Sequence, residues 1–304
     1  EVQEDSPSYI DFVCGKGGVI DTWLGLGASG FRLDVADELP DAFIERIRQA
    51  VKAHGEDKLL IGEVWEDATT KEAFGRRRTY LRGKGLDAVM NYPFRNAALS
   101  YVTGGDVHAV AEQILSICEN YPAPALNCAM NFLSTHDTER AITAIAGEPV
   151  NGRDRYWQSG RRIPAEKMDD AMRKLLLGYA MIFTLPGVPC IYYGDEIAMQ
   201  GYRDPFNRAF FDWNSTERRL RGPIKTLAAL RRSCDAFDGG RLEIVRAEAD
   251  VLHYRRIGKT QTAEIILNRG PHLIAELAFG KYAEVNPGGF TVLVEENPPE
   301  HVGY

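Results

Sequence analysis

The chain has 304 residues, enough for one large domain with a smaller one or for two of medium size. Hydrophobic residues make up 44% and charged residues 26%, which is typical of a globular protein and excludes a chain that is disordered throughout. The 36 basic and 43 acidic residues give a net charge of -7, so no nucleic-acid partner is expected. No stretch approaches the roughly 18 consecutive apolar residues of a membrane span, so no membrane partner is expected either.

The cysteines are five in number, widely spaced and without a Cys-x-x-Cys pair: Cys14, Cys118, Cys128, Cys190 and Cys234. This pattern favours reduced thiols over a disulfide framework or a zinc site, and we expect a cytoplasmic protein. No signal peptide is visible in the sequence, which opens at Glu1 rather than Met.

Two basic runs, Arg76 to Arg78 and Arg218 to Arg219, are interpreted as solvated helix faces. Five histidines have no ligand-like spacing and are interpreted as surface residues: His54, His108, His253, His272 and His301.

In chain order, short apolar runs alternate with amphipathic stretches, which is typical of βα units. The predicted strands span residues 30–35, 58–64, 87–91, 129–134 and 189–193. The predicted helices span residues 40–54, 107–117, 164–184 and 224–232. Beyond residue 240, alternating segments at 242–245, 251–255, 262–267 and 290–294 predict a small antiparallel β domain. The expected fold class is α/β followed by all-β.

Acidic residues end three of the predicted strands. Asp34 ends FRLDV, Glu63 ends LLIGE, and His136 and Asp137 follow NFLST. Because ligands bind at the carboxyl ends of parallel strands, we expect these acids to converge on one rim. Each has a structural alternative: an ion pair between Arg32 and Asp34, or a helix cap for Glu63 or Asp137. Together these alternatives are poor, since several neighbouring buried carboxylates cost free energy.

Two carboxyl groups about 5 Å apart are what retaining glycoside hydrolysis requires. One must stay ionised to attack the anomeric carbon, and a guanidinium beside it favours that form. Arg32 lies two residues before Asp34, so both side chains point to the same face of the strand. The other carboxyl must carry a proton for the leaving oxygen, and Glu63, beside Val64 and Trp65, suits that task.

With these residues in this order, the chain resembles the α-amylase superfamily, glycoside hydrolase family 13. GFRLDVADEL, LLIGEVW and FLSTHDTER are similar to the second, third and fourth conserved regions of that family, in the same order. PGVPCIYYGDEIAMQGYRDPFNR is similar to its eighth-strand segment. The resemblance implies a (β/α)₈ barrel with Asp34 as nucleophile, Glu63 as acid/base and Asp137 as transition-state stabiliser. By the same resemblance, Arg32 and His136 support the sugar site.

A finer resemblance is to the neopullulanase and cyclomaltodextrinase branch, although Asp37 stands where that branch has Asn. Asp204 and Arg208 resemble a pair that binds a donor-side sugar, with a loop salt bridge as the equal alternative. Trp65 is interpreted as a sugar-stacking platform, with rim packing as the alternative.

The family's first conserved region is missing, since no Asn-His dipeptide occurs in the chain. Glu1 to Asp5 resembles the segment just before the fourth barrel strand. The resemblance therefore implies barrel strands four to eight over residues 1–238 and an all-β domain over residues 239–304. No cofactor is predicted; calcium is common in amylases, but no acidic cluster in the sequence demands it.

The leading hypothesis is a retaining hydrolase of α-1,4, and also α-1,6, glucosidic bonds in maltooligosaccharides, cyclodextrins or pullulan. Alternatives are a non-catalytic amylase-like protein that binds sugar or a partner, and a transglycosylase of the same family. The presence of Asp34, Glu63 and Asp137 favours descent from an active enzyme.

We expect the 304-residue chain by itself to be inactive or nearly so. Five βα units cannot close an eight-stranded barrel, and unpaired strand edges should promote homo-oligomers or association through the open edge. The test assays this chain on maltotriose, pullulan and cyclodextrins beside a version extended upstream, and measures its mass in solution. Robust hydrolysis by the short chain, abolished by Asp34→Asn, contradicts this expectation.

Overall fold

The computed structural model describes residues 3–277 and 280–298. The chain divides into two compact units. The first unit holds the residues up to 93 together with 116–130, and the second holds 94–115 together with the residues from 131 onward. Glu1 and Val2, part of the segment compared with the region before the fourth barrel strand, lie outside the described residues, as does His301.

Helices and short strands alternate in the first part of the chain. They are α1 (Pro7–Cys14), α2 (Val19–Gly25), β1 (Gly30–Leu33), α3 (Asp41–Lys52), β2 (Leu59–Gly62), β3 (Glu72–Ala73), β4 (Arg76–Arg77), β5 (Ala88–Val89), α4 (Tyr92–Val102), α5 (Val107–Asn120), α6 (Ala123–Cys128) and β6 (Met130–Asn131).

The later part of the chain is helical at first and then all-β. Its elements are α7 (Ala141–Ala146), α8 (Arg155–Gly160), α9 (Ala165–Thr184), β7 (Val188–Pro189), α10 (Arg221–Ser233), β8 (Arg241–Glu248), β9 (Val251–Ile257), β10 (Gln261–Asn268), β11 (Leu273–Glu276), β12 (Tyr282–Val285) and β13 (Gly289–Glu296).

A parallel sheet in the order β1-β2-β5 forms the centre of the first unit. Helix α3 connects β1 to β2 and buries one apolar face, formed by Phe43, Ile44, Ile47 and Val51. These residues recur at helical spacing, so the βα order predicted from periodicity is confirmed here. The strands are shorter than predicted because pairing stops near Leu33 and Gly62, just before the acidic residues.

Gly62, the residue before Glu63, allows neighbouring side chains to lie close to the backbone of β2. A Cβ atom at this position would lie 2.3 Å from Cδ1 of Leu86 and 3.0 Å from Cβ of Ala36. Both neighbours are buried side chains, so a larger residue would displace packed atoms. Glycine therefore sets how closely β2 packs against its surroundings.

The second unit contains a long buried helix and most of an antiparallel β region. Helix α9 matches the predicted helix closely, and Leu175, Tyr179 and Ala180 on it are fully buried. Strands β13, β10, β9 and β8 form a four-stranded sheet in that order, and β11 pairs with β12 as a hairpin. The hairpin and the sheet share an apolar cluster made of Val251, Ile266, Ala275, Leu277, Ala283 and Val285. The antiparallel texture predicted beyond residue 240 is present, while the boundary at residue 238 stays a prediction.

The interpretation of the two basic runs was wrong. Arg76 and Arg77 form strand β4, and the side chain of Arg78 is buried rather than solvated. Arg78 donates from Nε to Asp41 at 2.9 Å and from NH1 to the carbonyl of Asp37 at 2.7 Å. These partners lie about forty residues away in sequence, so the local run carried no sign of them. Arg218 and Arg219 precede α10 rather than lying on it.

The surface interpretation of His253 was also wrong. His253 is 3% exposed, and its Nε2 lies 2.5 Å from Oε2 of the buried Glu264. Arg255 donates to the other oxygen of Glu264 at 2.7 Å, so this carboxylate links two basic side chains within the β region.

None of the helices within residues 3–277 and 280–298 is long and apolar enough to cross a membrane.

Candidate active site

One guanidinium joins two of the predicted catalytic acids in the first unit. Arg32 on β1 donates from NH1 to Oδ1 of Asp34 at 2.5 Å. Its NH2 lies 3.0 Å from Oε2 of Glu63, just past the end of β2. Since β1 and β2 are neighbouring parallel strands, their adjacent ends bring both carboxylates to one cation. The predicted ion pair of Arg32 and Asp34 is therefore present, and it extends to Glu63.

The two carboxylates differ in their surroundings. Glu63 is 4% exposed, whereas the side chain of Asp34 is 76% exposed. Glu63 accepts hydrogen bonds from the backbone N–H of Val35 at 2.9 Å and from Nε1 of Trp65 at 3.2 Å. One acid is thus held from several directions, while the other is open to an incoming molecule.

Backbone strain lies beside Asp34. Val35 has a φ of 45°, a left-handed conformation that is unfavourable for a β-branched residue. This conformation coexists with the hydrogen bond from the N–H of Val35 to Glu63 and with that from Ala36 to the Glu63 carbonyl, at 3.1 Å. Strained residues of this kind cluster at functional sites, where the surroundings maintain them.

Trp65 stacks on Tyr92, with ring centroids 4.1 Å apart and planes 15° from parallel. It is 44% exposed and donates its indole N–H to Glu63. The structure therefore gives Trp65 a part in holding Glu63, and its predicted contact with sugar stays a prediction.

The other predicted site residues meet in the second unit. Nε2 of His136 lies 3.0 Å from Oδ2 of Asp137, and NH2 of Arg208 lies 3.3 Å from Oδ1 of the same carboxylate. Nε of Arg208 also donates to the His136 carbonyl at 2.9 Å and lies 3.2 Å from Oδ1 of Asp204. The loop salt bridge between Asp204 and Arg208 is therefore present, and it continues to Asp137.

Asn207 supports this loop and was missed from the sequence. It is fully buried, and its amide donates to the carbonyls of Thr135, His136 and Thr138 at 3.3, 2.8 and 2.7 Å. Its position between Asp204 and Arg208 was the available signal, because an amide can satisfy several carbonyls of a tight loop at once.

A buried ion pair between Arg140, which closely follows His136 and Asp137 in the sequence, and Asp195 was also missed from the sequence. Arg140 and Asp195 are 0% and 1% exposed, with NH1 3.6 Å from Oδ1. Cζ of Arg140 lies 4.5 Å from the ring centroid of Tyr192 and 4.6 Å from that of Tyr193. Tyr179 donates its hydroxyl to Asp195 at 2.8 Å. Arg140 and Asp195 both lie in the motifs that resemble the family. The local sequence pattern does not show that their side chains are buried.

Burial raises the pKa of Asp195 to about 6, and hydrogen bonds from Ser134 and Tyr179 together with the charge of Arg140 oppose that rise.

Within residues 3–277 and 280–298, no group of three or more His, Cys, Asp or Glu side chains is placed to hold a metal ion.

Comparisons with known proteins specify the family of this α/β chain. Residues 15–235 match the family model described as alpha amylase, catalytic domain. The chain belongs to the α-amylase family, as its motifs predicted.

Curated relatives include a cyclomaltodextrinase from Geobacillus thermopakistaniensis (strain MAS1), 34% identical over 246 residues that cover 79% of this chain and 36% of that protein. Neopullulanase 2 from Thermoactinomyces vulgaris is 31% identical over 252 residues, covering 81% and 38%. These relatives confirm the predicted resemblance to the neopullulanase and cyclomaltodextrinase branch. The chain spans little more than a third of the length of each.

Among solved structures, ligand-free cyclic α-maltosyl-(1→6)-maltose hydrolase from Arthrobacter globiformis superposes with a TM-score of 0.78 at 27% identity, covering 96% of this chain and 60% of that one. Its complex with cyclic α-maltosyl-(1→6)-maltose gives 0.76 at 29% identity, covering 91% and 58%. These matches confirm the predicted fold class, the C-terminal part of a (β/α)₈ barrel followed by antiparallel β structure.

The raised pKa of Asp195 predicts a specific pH dependence of stability. An acid whose pKa is higher in the folded state contributes stability below its unfolded pKa of about 3.9 and loses it as the pH rises through about 6. Asp195→Asn cannot titrate. The free energy of unfolding of the unsubstituted protein minus that of the variant should therefore fall between pH 4 and pH 7, by about 2 kcal/mol. Urea unfolding of both proteins across this range measures it, and a constant difference contradicts the assignment.

Proposed function

We propose that the full-length protein is a retaining glycoside hydrolase that cleaves α-1,4-glucosidic bonds, and also α-1,6 bonds, in glucan oligosaccharides. The observation that carries this proposal is the contact of Arg32 with both Asp34 and Glu63 at the ends of neighbouring strands. A retaining mechanism needs two carboxyl groups close together with different tasks, and their unequal exposure matches those tasks.

Asp34 is the proposed nucleophile. Its exposed carboxylate can reach a bound sugar, and the hydrogen bond from Arg32 fixes its rotamer. Attack on the anomeric carbon forms an ester bond between Asp34 and the sugar while the glycosidic bond breaks.

Glu63 is the proposed acid/base. In the first step it gives a proton to the departing glycosidic oxygen, and in the second it takes one from the attacking water. The ester on Asp34 carries no charge, so Arg32 then faces one carboxylate instead of two.

Asp137 is the proposed stabiliser of the positively charged, oxocarbenium-like sugar, and His136 is a proposed hydroxyl ligand. Their mutual contact, the bond of Asp137 to Arg208 and the support from Asn207 favour a fixed orientation. Asp204 and Arg208 are proposed to bind a donor-side sugar, and Trp65 is proposed to contact sugar with its exposed part.

The substrate class is supported by the relatives. The printed names of the two curated relatives denote action on cyclomaltodextrin and on pullulan, and one similar structure was solved with maltose at 29% identity. A reducing compartment such as the cytoplasm is part of the proposal, because all five cysteines are free thiols.

Asp34→Asn in the full-length protein should abolish hydrolysis of maltooligosaccharides and leave the fold intact. The amide keeps the shape of the carboxylate but cannot form the glycosyl-enzyme ester, so kcat should fall by at least about 10³-fold. Reducing-sugar release from maltotriose measures the loss, and a thermal melt checks the fold.

The matched control is Asp37→Asn, the same substitution three residues further on. Asp37 pairs with Lys71 at 3.1 Å and has no proposed role in the reaction, so this variant should retain most of its activity. Activity of Asp34→Asn within tenfold of the unsubstituted protein would sink the assignment of the nucleophile. Release of the β-anomer first from an α-glucan would contradict retention.

Glu63→Gln should affect substrates according to their leaving groups. Maltooligosaccharides need protonation of the departing oxygen and should lose far more rate than activated aryl α-glucosides, which need little. Parallel kcat/KM measurements on both substrate types provide the comparison. Glu66→Gln is the control, because Glu66 is exposed and pairs with Lys71. Equal losses on the two substrate types would indicate a purely structural role for Glu63.

A further inference from the structure

The loop that carries His136 and Asp137 is tied at both ends to one buried carboxylate. The loop runs from Ser134 to Arg140, between β6 and α7. Asp195 is 1% exposed, and NH1 of Arg140 lies 3.6 Å from its Oδ1. The hydroxyl of Ser134 interacts with the same carboxylate. Asp195 therefore holds the two residues that bracket Asp137 in the sequence, and we call Ser134, Arg140 and Asp195 the Asp195 cluster.

Hydrogen bonds inside the loop leave it little freedom between these ends. The Ser134 hydroxyl accepts from the backbone N–H of Ala141 at 2.6 Å, which closes the loop at its base. The Thr135 hydroxyl accepts from the backbone N–H of Asp137 at 3.1 Å, and the Thr138 hydroxyl accepts from that of Thr135 at 3.0 Å. A shift at either end of the loop therefore also moves the backbone of Asp137.

Contacts outside the loop fix Asp195 in turn. Tyr179, fully buried on α9, donates its hydroxyl to Oδ2 of Asp195 at 2.8 Å. The backbone N–H of Cys190 donates to the Asn131 carbonyl at 2.7 Å. This bond joins the segment that leads to Asp195 to the segment that leads to Ser134. The carboxylate is therefore a fixed point to which the loop is attached.

The Asp195 cluster costs free energy that a purely packing role does not need. Arg140 is 0% exposed, and within residues 3–277 and 280–298 its Nε and NH2 have no hydrogen-bond partner. Burial also raises the pKa of Asp195 to about 6, so its ionised form is disfavoured by the surroundings. Replacing a buried ion pair by apolar residues of similar volume is often neutral or stabilising. Such a pair at the base of a loop that bears a proposed reacting group indicates a role in the reaction.

We propose that Asp195 is a positioning residue for the reaction, which through Ser134 and Arg140 holds the loop so that Asp137 faces the reacting sugar. This inference rests on the proposed function, in which Asp137 stabilises the charged transition state. Ionised Asp195 attracts the guanidinium of Arg140, and the neutral acid holds it more weakly. Misplacing a reacting group by about 1 Å can cost up to about a hundredfold in rate.

The charge of Asp195 is the one in the cluster that changes between pH 5 and pH 7, because an arginine keeps its charge and a serine does not titrate over this range. The other ionisable side chains around the cluster come from α9, from the segment of Asp195 and from α10, and they are Tyr179, Cys190, Tyr192, Tyr193, Glu196, Arg221 and Lys225. Burial raises the pKa of Tyr179, Tyr192 and Cys190 above their ordinary values, so these three stay neutral up to pH 7. Glu196 accepts from the backbone N–H of Gly194 at 2.7 Å.

The test compares two substitutions in the Asp195 cluster with one outside it, in the full-length protein acting on maltotriose. Asp195→Asn removes the charge and keeps the shape, so kcat at pH 7 should fall about tenfold. The change in KM should be smaller, because Asp137 acts on the transition state. Ser134→Ala removes one contact with the loop and should lower kcat by about three- to tenfold. Tyr254→Phe is the control: it removes a buried hydroxyl that bonds to Thr184, and kcat should stay within about twofold.

The pH dependence separates positioning from packing. At pH 5 most of Asp195 in the unsubstituted protein is neutral, so kcat of Asp195→Asn should come within about twofold of it, against about tenfold at pH 7. The stability of Asp195→Asn relative to the unsubstituted protein should rise over the same range. Relative activity and relative stability thus move in opposite directions, whereas a loss caused by packing alone would shrink as stability rises.

Thermal melts establish that each variant is folded at the assay temperature, and if Asp195→Asn is not, Ser134→Ala against Tyr254→Phe decides alone. An unchanged kcat for Asp195→Asn at pH 7, the same loss at pH 5 and pH 7, or equal losses for Ser134→Ala and Tyr254→Phe overturn the role of Asp195 and leave the proposed function standing. Absence of maltotriose hydrolysis by the unsubstituted protein overturns the proposed function itself.

Discussion

The contact of one arginine with two carboxylates is the constraint on which the proposed chemistry depends. Arg32 can reach both acids only because β1 and β2 are adjacent and parallel, so that the residues after Leu33 and Gly62 emerge at the same edge. A cation shared in this way responds when either partner changes its charge. The proposed nucleophile and the proposed acid/base therefore share a single side chain.

The positions of these residues followed from the sequence because they depend on local pattern. A period of two places Arg32 and Asp34 on one face of a strand, and the end of an apolar run marks where Glu63 emerges. The α/β fold class was predicted in the same way, because short apolar runs alternate with amphipathic stretches whose apolar residues recur at helical spacing. The strained φ of Val35 did not follow, since it depends on what Glu63 accepts from a different strand.

What the sequence could not reveal is burial of charge. Arg78, His253 and Arg140 look like ordinary polar residues in their neighbourhoods, yet each is almost inaccessible to water. Their partners are distant in the chain: Asp41 for Arg78, and Asp195 for Arg140. A buried charge is tolerated only when such a partner exists, and pairs of this kind become visible only in three dimensions.

Gly62 has a consequence for how this protein tolerates mutation. Every substitution of glycine adds at least a Cβ atom, and here that atom would meet Leu86 at 2.3 Å. Gly62, immediately before Glu63, carries no reacting group, yet its surroundings leave almost no room for a side chain. In a survey of random variants that scores activity alone, losses at Gly62 would look like losses of chemistry, although their origin is the packing of one leucine.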